Sequence, residues 1–222
     1  DDRIYAVYAD GSIFAFSDQA AREFDSATSE SFFEQGQVYL LEESFADDGN
    51  ISNTQLIVTE DSLILRGQFR GSSSKSNIYL IDLESTEATP LLEGGSSKKV
   101  TGLGLVDSIL YYSQDKLIYR RNLVSGDREL FASLNENILS LSLSEDSVNV
   151  ITENGKLVRL NLSDASSKTE KNLSIAFNNS QIYAVGEDFI GKIRNGGVAV
   201  IDTSEETIST RMGAADSANL IL

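Results

Sequence analysis

Leu103-Gly104-Leu105-Val106-Asp107-Ser108-Ile109-Leu110-Tyr111-Tyr112 holds two apolar runs separated by Asp-Ser. It reads as two short strands joined by a tight turn, because Asp and Ser carry side-chain oxygens that cap turn backbones. The pattern returns at Gln55–Leu65 and at Leu139–Val150, with Asp61-Ser62 and Asp146-Ser147 in the turn. A third strand follows each pair, at Ile78–Asp82, Leu117–Arg120 and Leu157–Asn161, and a fourth segment of this kind lies at Val198–Asp202. Their starts are 39, 40 and 41 residues apart (78 to 117, 117 to 157, 157 to 198). A further strand trails each, as in Arg128–Phe131. Four strands in about 40 residues is the period of a propeller blade.

The ends extend the count. Arg3–Tyr8 and Ser12–Phe16 resemble the second and third strands of a blade whose first strand is missing. Ala218-Asn219-Leu220-Ile221-Leu222 supplies a strand without a blade. From Val198 through the C-terminus to Ile13 is 37 residues, one more period. The expectation is an all-β chain, a β-propeller of five four-stranded blades, with the C-terminal strand closing the N-terminal blade. Closure hides edges that would otherwise pair with other chains. Six blades is the second reading, because the interval from 13 to 78 is too long by about 25 residues. The chain reads as a single domain over 1–222, with a loop or short helical insertion within 18–53. Gln19–Phe24 opens a short helix or forms an outer strand, and Gln37–Leu41 is a strand by β-propensity.

Ser108-Ile109-Leu110-Tyr111-Tyr112-Ser113-Gln114-Asp115-Lys116-Leu117-Ile118-Tyr119-Arg120-Arg121-Asn122-Leu123-Val124-Ser125-Gly126 resembles the YWTD-type propeller repeat and related bacterial propeller repeats. The likeness lies in a Tyr-rich strand ending in Asp, an Ile-x-Arg strand and a Gly turn. Ser144–Leu162 and Asn178–Asp202 echo it. The Trp and Thr of the family name are absent here. The resemblance implies a propeller used for protein recognition and transfers no functional residue.

A formal charge of −16 argues against a nucleic-acid partner, since a polyanion repels phosphate. The chain has no Cys, His or Trp. That removes disulfides, thiol nucleophiles, Cys-ligated zinc and the commonest general base. No apolar run approaches the roughly 18 residues of a membrane span, so no membrane insertion is expected. The start at Asp1-Asp2 reads as a processed product, and the Cys-free, acidic, Ser-rich composition suits an extracellular, cell-surface or periplasmic location.

Asp10, Glu60, Asp61 and Asp107 are the acids a carboxylate glycoside hydrolase on this fold would use. However, Asp61, Asp107 and Asp146 recur at one repeat position, which argues for turn chemistry over a unique catalytic pair. No enzyme and no cofactor are expected. Asp47-Asp48-Gly49-Asn50 resembles part of a calcium loop but lacks its full spacing, so an acidic turn is preferred over calcium at Asp47, Asp48 and Asn50. Long connections at about 44–53, 70–77, 94–99 and 187–197 all fall on one propeller face. Rigid scaffolds carry function on such loops. The candidate binding face is therefore Asp47, Asp48, Asn50, Arg70, Lys75, Lys98, Lys99, Lys192 and Arg194. The functional expectation is a non-catalytic binding or scaffold propeller for a protein or polymer partner. The alternative is a self-assembling extracellular subunit that associates through its C-terminal strand.

Overall fold

Among the described residues, alternating side chains and Asx- or Gly-containing turns produce antiparallel meanders. In a computed structural model, residues 3–7, 12–17, 37–40, 54–68, 76–85, 87–92, 100–175, 177–193 and 197–211 are described. The chain divides into two compact units, Asp1–Ser97 and Lys98–Leu222. Among the described residues every regular element is a strand.

The first unit holds two sheets. One is three-stranded, of β1 (Arg3–Val7), β2 (Ser12–Ser17) and β3 (Gln37–Leu40). The other is four-stranded, of β4 (Gln55–Val58), β5 (Ser62–Gln68), β6 (Ser76–Asp82) and β7 (Ala88–Pro90). Leu63, Leu65, Tyr79 and Ile81 form its core, with Tyr5 of β1 packed against them. Pro90 lies in the outer strand, where a missing N–H costs no ladder bond.

The second unit holds three four-stranded sheets: β8 (Val100–Val106) to β11 (Arg128–Ser133), β12 (Ile138–Leu143) to β15 (Lys168–Asn172), and β16 (Phe177–Val185) to β19 (Thr207–Arg211). Between them lie β9 (Ile109–Gln114), β10 (Leu117–Asn122), β13 (Ser147–Thr152), β14 (Lys156–Asn161), β17 (Asp188–Ile193) and β18 (Val198–Asp202). Each sheet runs in sequence order from an inner first strand to an outer fourth. β12 packs against both β8 and β16. One core lies between the first two of these sheets, around Tyr111, Ile118, Leu141, Val150 and Val158. The next lies between the second and third, around Ile151, Leu157, Phe177, Phe189 and Ile201.

Close approach of β8 to β12 requires glycine. A Cβ on Gly102 would stand 2.6 Å from Leu141 Cβ, and one on Gly104 would stand 2.7 Å from Leu143 Cδ1. At the β13–β14 hairpin, Gly155 takes φ +74°, a left-handed conformation that the Asn154-Gly155 pair accommodates.

The predicted third strands are β6, β10, β14 and β18, and Gln37–Leu40 is a strand paired to β2. Two readings need correction. The sequence suggests five four-stranded blades, whereas the described residues form four complete four-stranded sheets. The β1–β3 set has three strands among the described residues, and Ala218–Leu222, proposed as its fourth, lies outside them. The supposed long loop at 187–197 is mostly strand β17. Gly191 and Lys192 look loop-like in sequence, but Gly191 is there because a Cβ would come within 2.9 Å of the Phe177 ring. Gln19–Phe24 lies outside the described residues.

Candidate functional site

A meander places its first and third turns at one end of a sheet and its second turn, with the link to the next sheet, at the other. The two ends of the second unit differ in charge and in how they are tied together.

At the first end, two turns between first and second strands, β4–β5 in the first unit and β12–β13 in the second, are closed by hydroxyls. Thr59 N donates to Ser62 O and Ser144 N to Ser147 O, both at 2.9 Å. The hydroxyls of each pair also meet, at 2.9 Å and 2.6 Å. Asp61, Asp107 and Asp146 are exposed in these turns, and Asp107 takes φ +51°, which Asp tolerates better than most residues. Asp61 accepts a bond from the Thr59 hydroxyl at 3.0 Å. This is the turn role expected from recurrence. Asp10 lies outside the described residues, and Glu60 is an exposed neighbour of Asp61.

The turns between third and fourth strands carry a signal that the sequence reading passed over. Asp82, Asn122, Asn161 and Asp202 end the third strands, and each Oδ1 accepts backbone N–H bonds from the following turn. The donors are Ser85 at 2.6 Å, Val124 at 2.8 Å, Ser163 at 2.8 Å and Glu205 at 2.8 Å. The recurrence of Asp or Asn followed by Leu or Thr at this period was visible in the sequence. The next residue then ties the two turns together: Leu83 N donates to Asp61 O, Leu123 N to Ser108 O and Leu162 N to Asp146 O.

Those N–H and hydroxyl bonds hold the Asp82 and Asp202 carboxyls below their ordinary value of 3.8, and Ser166 does the same for Asp164. A depressed folded pKa gives stability that is present above the unfolded carboxylate range and lost as pH falls through the folded value. Stability is therefore expected to drop below about pH 4. Asp202→Asn keeps an acceptor without the charge, as Asn122 and Asn161 already do. Urea melts between pH 6 and pH 3, run on both chains, should show a flatter acid slope for Asp202→Asn.

In the second unit this end holds Asp107, Asp127, Glu145, Asp146, Asp164, Glu187, Asp188, Asp202, Glu205 and Glu206, with no Lys or Arg in the turns themselves. A surface recess of about 300 Å³ beside the Asn122–Asp127 turn is spanned by the Arg120–Glu129 ion pair, Nε to Oε1 2.6 Å.

The opposite end is mixed in charge and pinned. Lys116 Nζ donates to Asn135 O at 3.0 Å. Glu136 bridges Lys156 Nζ at 2.5 Å and accepts from Thr152 Oγ1 at 2.6 Å, and these partners hold its carboxyl below the ordinary value. Asn137 Nδ2 donates to Glu153 Oε2 at 2.9 Å, and Leu173 N to Gly155 O at 2.9 Å. The β11–β12 and β15–β16 links are thus each fastened to a neighbouring second turn.

Of the predicted binding residues, Lys192 is described. It sits half-buried in strand β17, within the ladder opposite Val198, and not in a loop. Asp47, Asp48, Asn50, Arg70, Lys75, Lys98, Lys99 and Arg194 lie outside the described residues. Tyr111 and Tyr112 are buried and Tyr119 half-buried, and they pack as expected of inter-strand aromatics. The Tyr112 and Tyr119 rings stack at 5.5 Å, and Tyr111 meets Phe131 edge-on at 5.2 Å. Among the described residues no group of His, Cys, Asp or Glu is placed to hold a metal ion, and no helix is long and apolar enough to cross a membrane.

Four-stranded meanders that pack through their inner strands are the blades of a β-propeller, and that is the fold of this chain. No protein-family model and no curated protein matches it. Among solved structures it is similar to the computationally designed Ika8 protein, at TM-score 0.54 and 13% identity. The match covers 94% of this chain and 57% of that one, so the chain spans little more than half of that structure. At this identity the likeness speaks for the fold alone.

Proposed function

We propose that the protein is a non-catalytic binding or scaffold propeller that recognises a protein or polymer partner through its loop-bearing end. The observation that carries this reading is the division of charge. The turns at the turn end of the second unit carry acids and no Lys or Arg of their own, although Lys171 reaches Glu206 there, whereas the loop end mixes Asp115, Lys116, Glu136, Glu153 and Lys156. In the sequence, Arg70, Lys75, Lys98, Lys99 and Arg194 fall in the connections expected to carry the partner contact. A mixed or locally basic surface on a chain of −16 does not repel partners at long range. Pinned links also lower the ordering cost of binding. The likeness of Ser108–Gly126 to YWTD-type repeats supports protein recognition, and the Cys-free acidic composition supports an exported location.

Asp61, Asp107 and Asp146 sit alike in sequential turns, which weighs against a carboxylate hydrolase. Self-assembly through the C-terminal strand is the second reading, favoured by the apolar run Leu220-Ile221-Leu222. A photo-cross-linking residue at position 98 and another at 124 separate the two ends. Capture of one partner from 98 and not from 124 is expected. Capture from 124 alone would reject the loop end.

A further inference from the structure

An Asn followed two residues later by Ser or Thr, with no Pro between, is the acceptor pattern for N-linked oligosaccharide on exported chains. Asn161-Leu162-Ser163 and Asn172-Leu173-Ser174 have this pattern. Asn50 and Asn178 begin two more, whose side chains lie outside the described residues. The two described segments are held in opposite ways. Asn161 is half-buried at the end of β14. Its Oδ1 accepts from Ser163 N at 2.8 Å, Ser163 Oγ at 2.5 Å and Asp164 N at 3.2 Å. The hydroxyl of that segment is spent on its own Asn, and the Asn is spent on the turn.

Asn172 ends β15, the outer strand of its sheet, which is exposed along its whole length. Its Oδ1 accepts from Ser174 N at 2.9 Å, so the segment bends into an Asx turn. Leu173 anchors the bend from below. It is 4% exposed, packs with Ile151 and Phe177, and donates its N–H to Gly155 O at 2.9 Å. Asn172 and Ser174 on either side of it are exposed. Among the described residues neither Asn172 Nδ2 nor Ser174 Oγ has a hydrogen-bond partner. With the amide oxygen turned to the backbone, the amide nitrogen faces solvent on a segment whose hydroxyl is also free.

We propose that Asn172 is an acceptor for N-linked oligosaccharide, presented by the folded chain. Asn172 Nδ2 bonds to the anomeric carbon of an oligosaccharide carried on a lipid diphosphate. The bond from that carbon to the diphosphate oxygen breaks, the lipid diphosphate leaves, and Nδ2 gives up one proton to a carboxylate of the transferase. A glycan here displaces no buried side chain, because the outer strand is exposed. The assignment rests on the exported location proposed above and is independent of the loop-end partner.

The test is made on the purified, folded full chain, incubated with an oligosaccharyltransferase and its lipid-diphosphate-linked oligosaccharide, and read by intact mass and peptide mapping. A synthetic peptide of residues 168–175 runs alongside. Transfer to Asn172 is expected, with transfer to Asn161 about tenfold slower or less, since its segment must first give up the Ser163 hydrogen bond. Asn172→Gln and Ser174→Ala should lose the Asn172 product, and Ser174→Thr, which keeps the hydroxyl, should retain it. Transfer to the peptide but not to the folded chain would show that the fold withholds Asn172. Transfer to neither, or to Asn161 in preference, would equally overturn the proposal. The reaction needs no export, so its failure stays distinct from failure of the exported location, which cell fractionation tests.

Discussion

Gly102→Ala is expected to destabilise the protein by about 3 kcal/mol, because overpacking that displaces backbone sits at the upper end of its usual range. For a chain of this size that lowers the melting temperature by about 6–12 °C, read by circular dichroism. The added Cβ would stand 2.6 Å from Leu141 Cβ and closer still to the Leu141 backbone nitrogen, so no rotamer change relieves it. The β8 and β12 strands must separate, which loosens Leu141 and Val150 from Tyr111 and Ile118. Gly126→Ala is the control. Gly126 takes φ +80° with nothing within 4 Å of an added Cβ, so only backbone strain is introduced, about 1 kcal/mol. Equal losses in the two variants would refute the close-approach argument.

Arg159→Ala has the second largest expected effect. Arg159 on β14 donates through Nε to Asn149 Oδ1 at 3.2 Å and through its terminal nitrogen to the Thr203 carbonyl in the next sheet. Around that joint, Thr203 N donates to Asp188 Oδ1 at 2.8 Å and Ser142 Oγ donates to Glu187 O at 2.6 Å. Asn149 and Thr203 are fully buried, so truncation strands acceptors that water does not reach. The expected loss is about 2–4 kcal/mol, as for breaking a buried charge-assisted network from one side. Arg159→Lys should recover little, because an ammonium lacks the planar fork that reaches both acceptors. Arg120 occupies the same repeat position on β10, but its side chain is 40% exposed and its partner Glu129 is 62% exposed. Arg120→Ala should therefore cost less than about 1 kcal/mol. Chemical denaturation of the three variants orders them. An Arg120→Ala loss equal to that of Arg159→Ala would overturn the assignment of the joint.

The third strands were legible because Ile78–Asp82, Leu117–Arg120, Leu157–Asn161 and Val198–Asp202 combine β-branched alternation with a fixed period. β17 was not, because Gly191 and Lys192 carry no strand propensity. Their place is set by the Phe177 ring, 177 to 191 being a contact that no local pattern encodes. The Asp-Ser turns were read correctly as turns, but their hydroxyl partners Thr59 and Ser144 lie three residues upstream and were missed. The Asp82, Asn122, Asn161 and Asp202 caps were hidden as strand ends. The length of the 187–197 connection and its bases suggest Lys192 on the loop face, whereas the ladder opposite Val198 places it in the sheet. The charge division between the two ends was half legible: the acids could be counted, but their common end depends on the sheet order.

Arg128 makes a poor reference for testing that division, since its guanidinium lies 4.1 Å from the Tyr119 ring centroid and its loss would also disturb packing. Val124 is 84% exposed on the turn end and serves better. The decisive measurement is the dissociation constant for the partner captured at position 98, compared among the native chain, the Lys98→Glu/Lys99→Glu double variant and Val124→Glu. The proposed function predicts about tenfold or greater weakening by the double reversal and less than about twofold change at Val124. Weakening by Val124→Glu with the double reversal unchanged would contradict it.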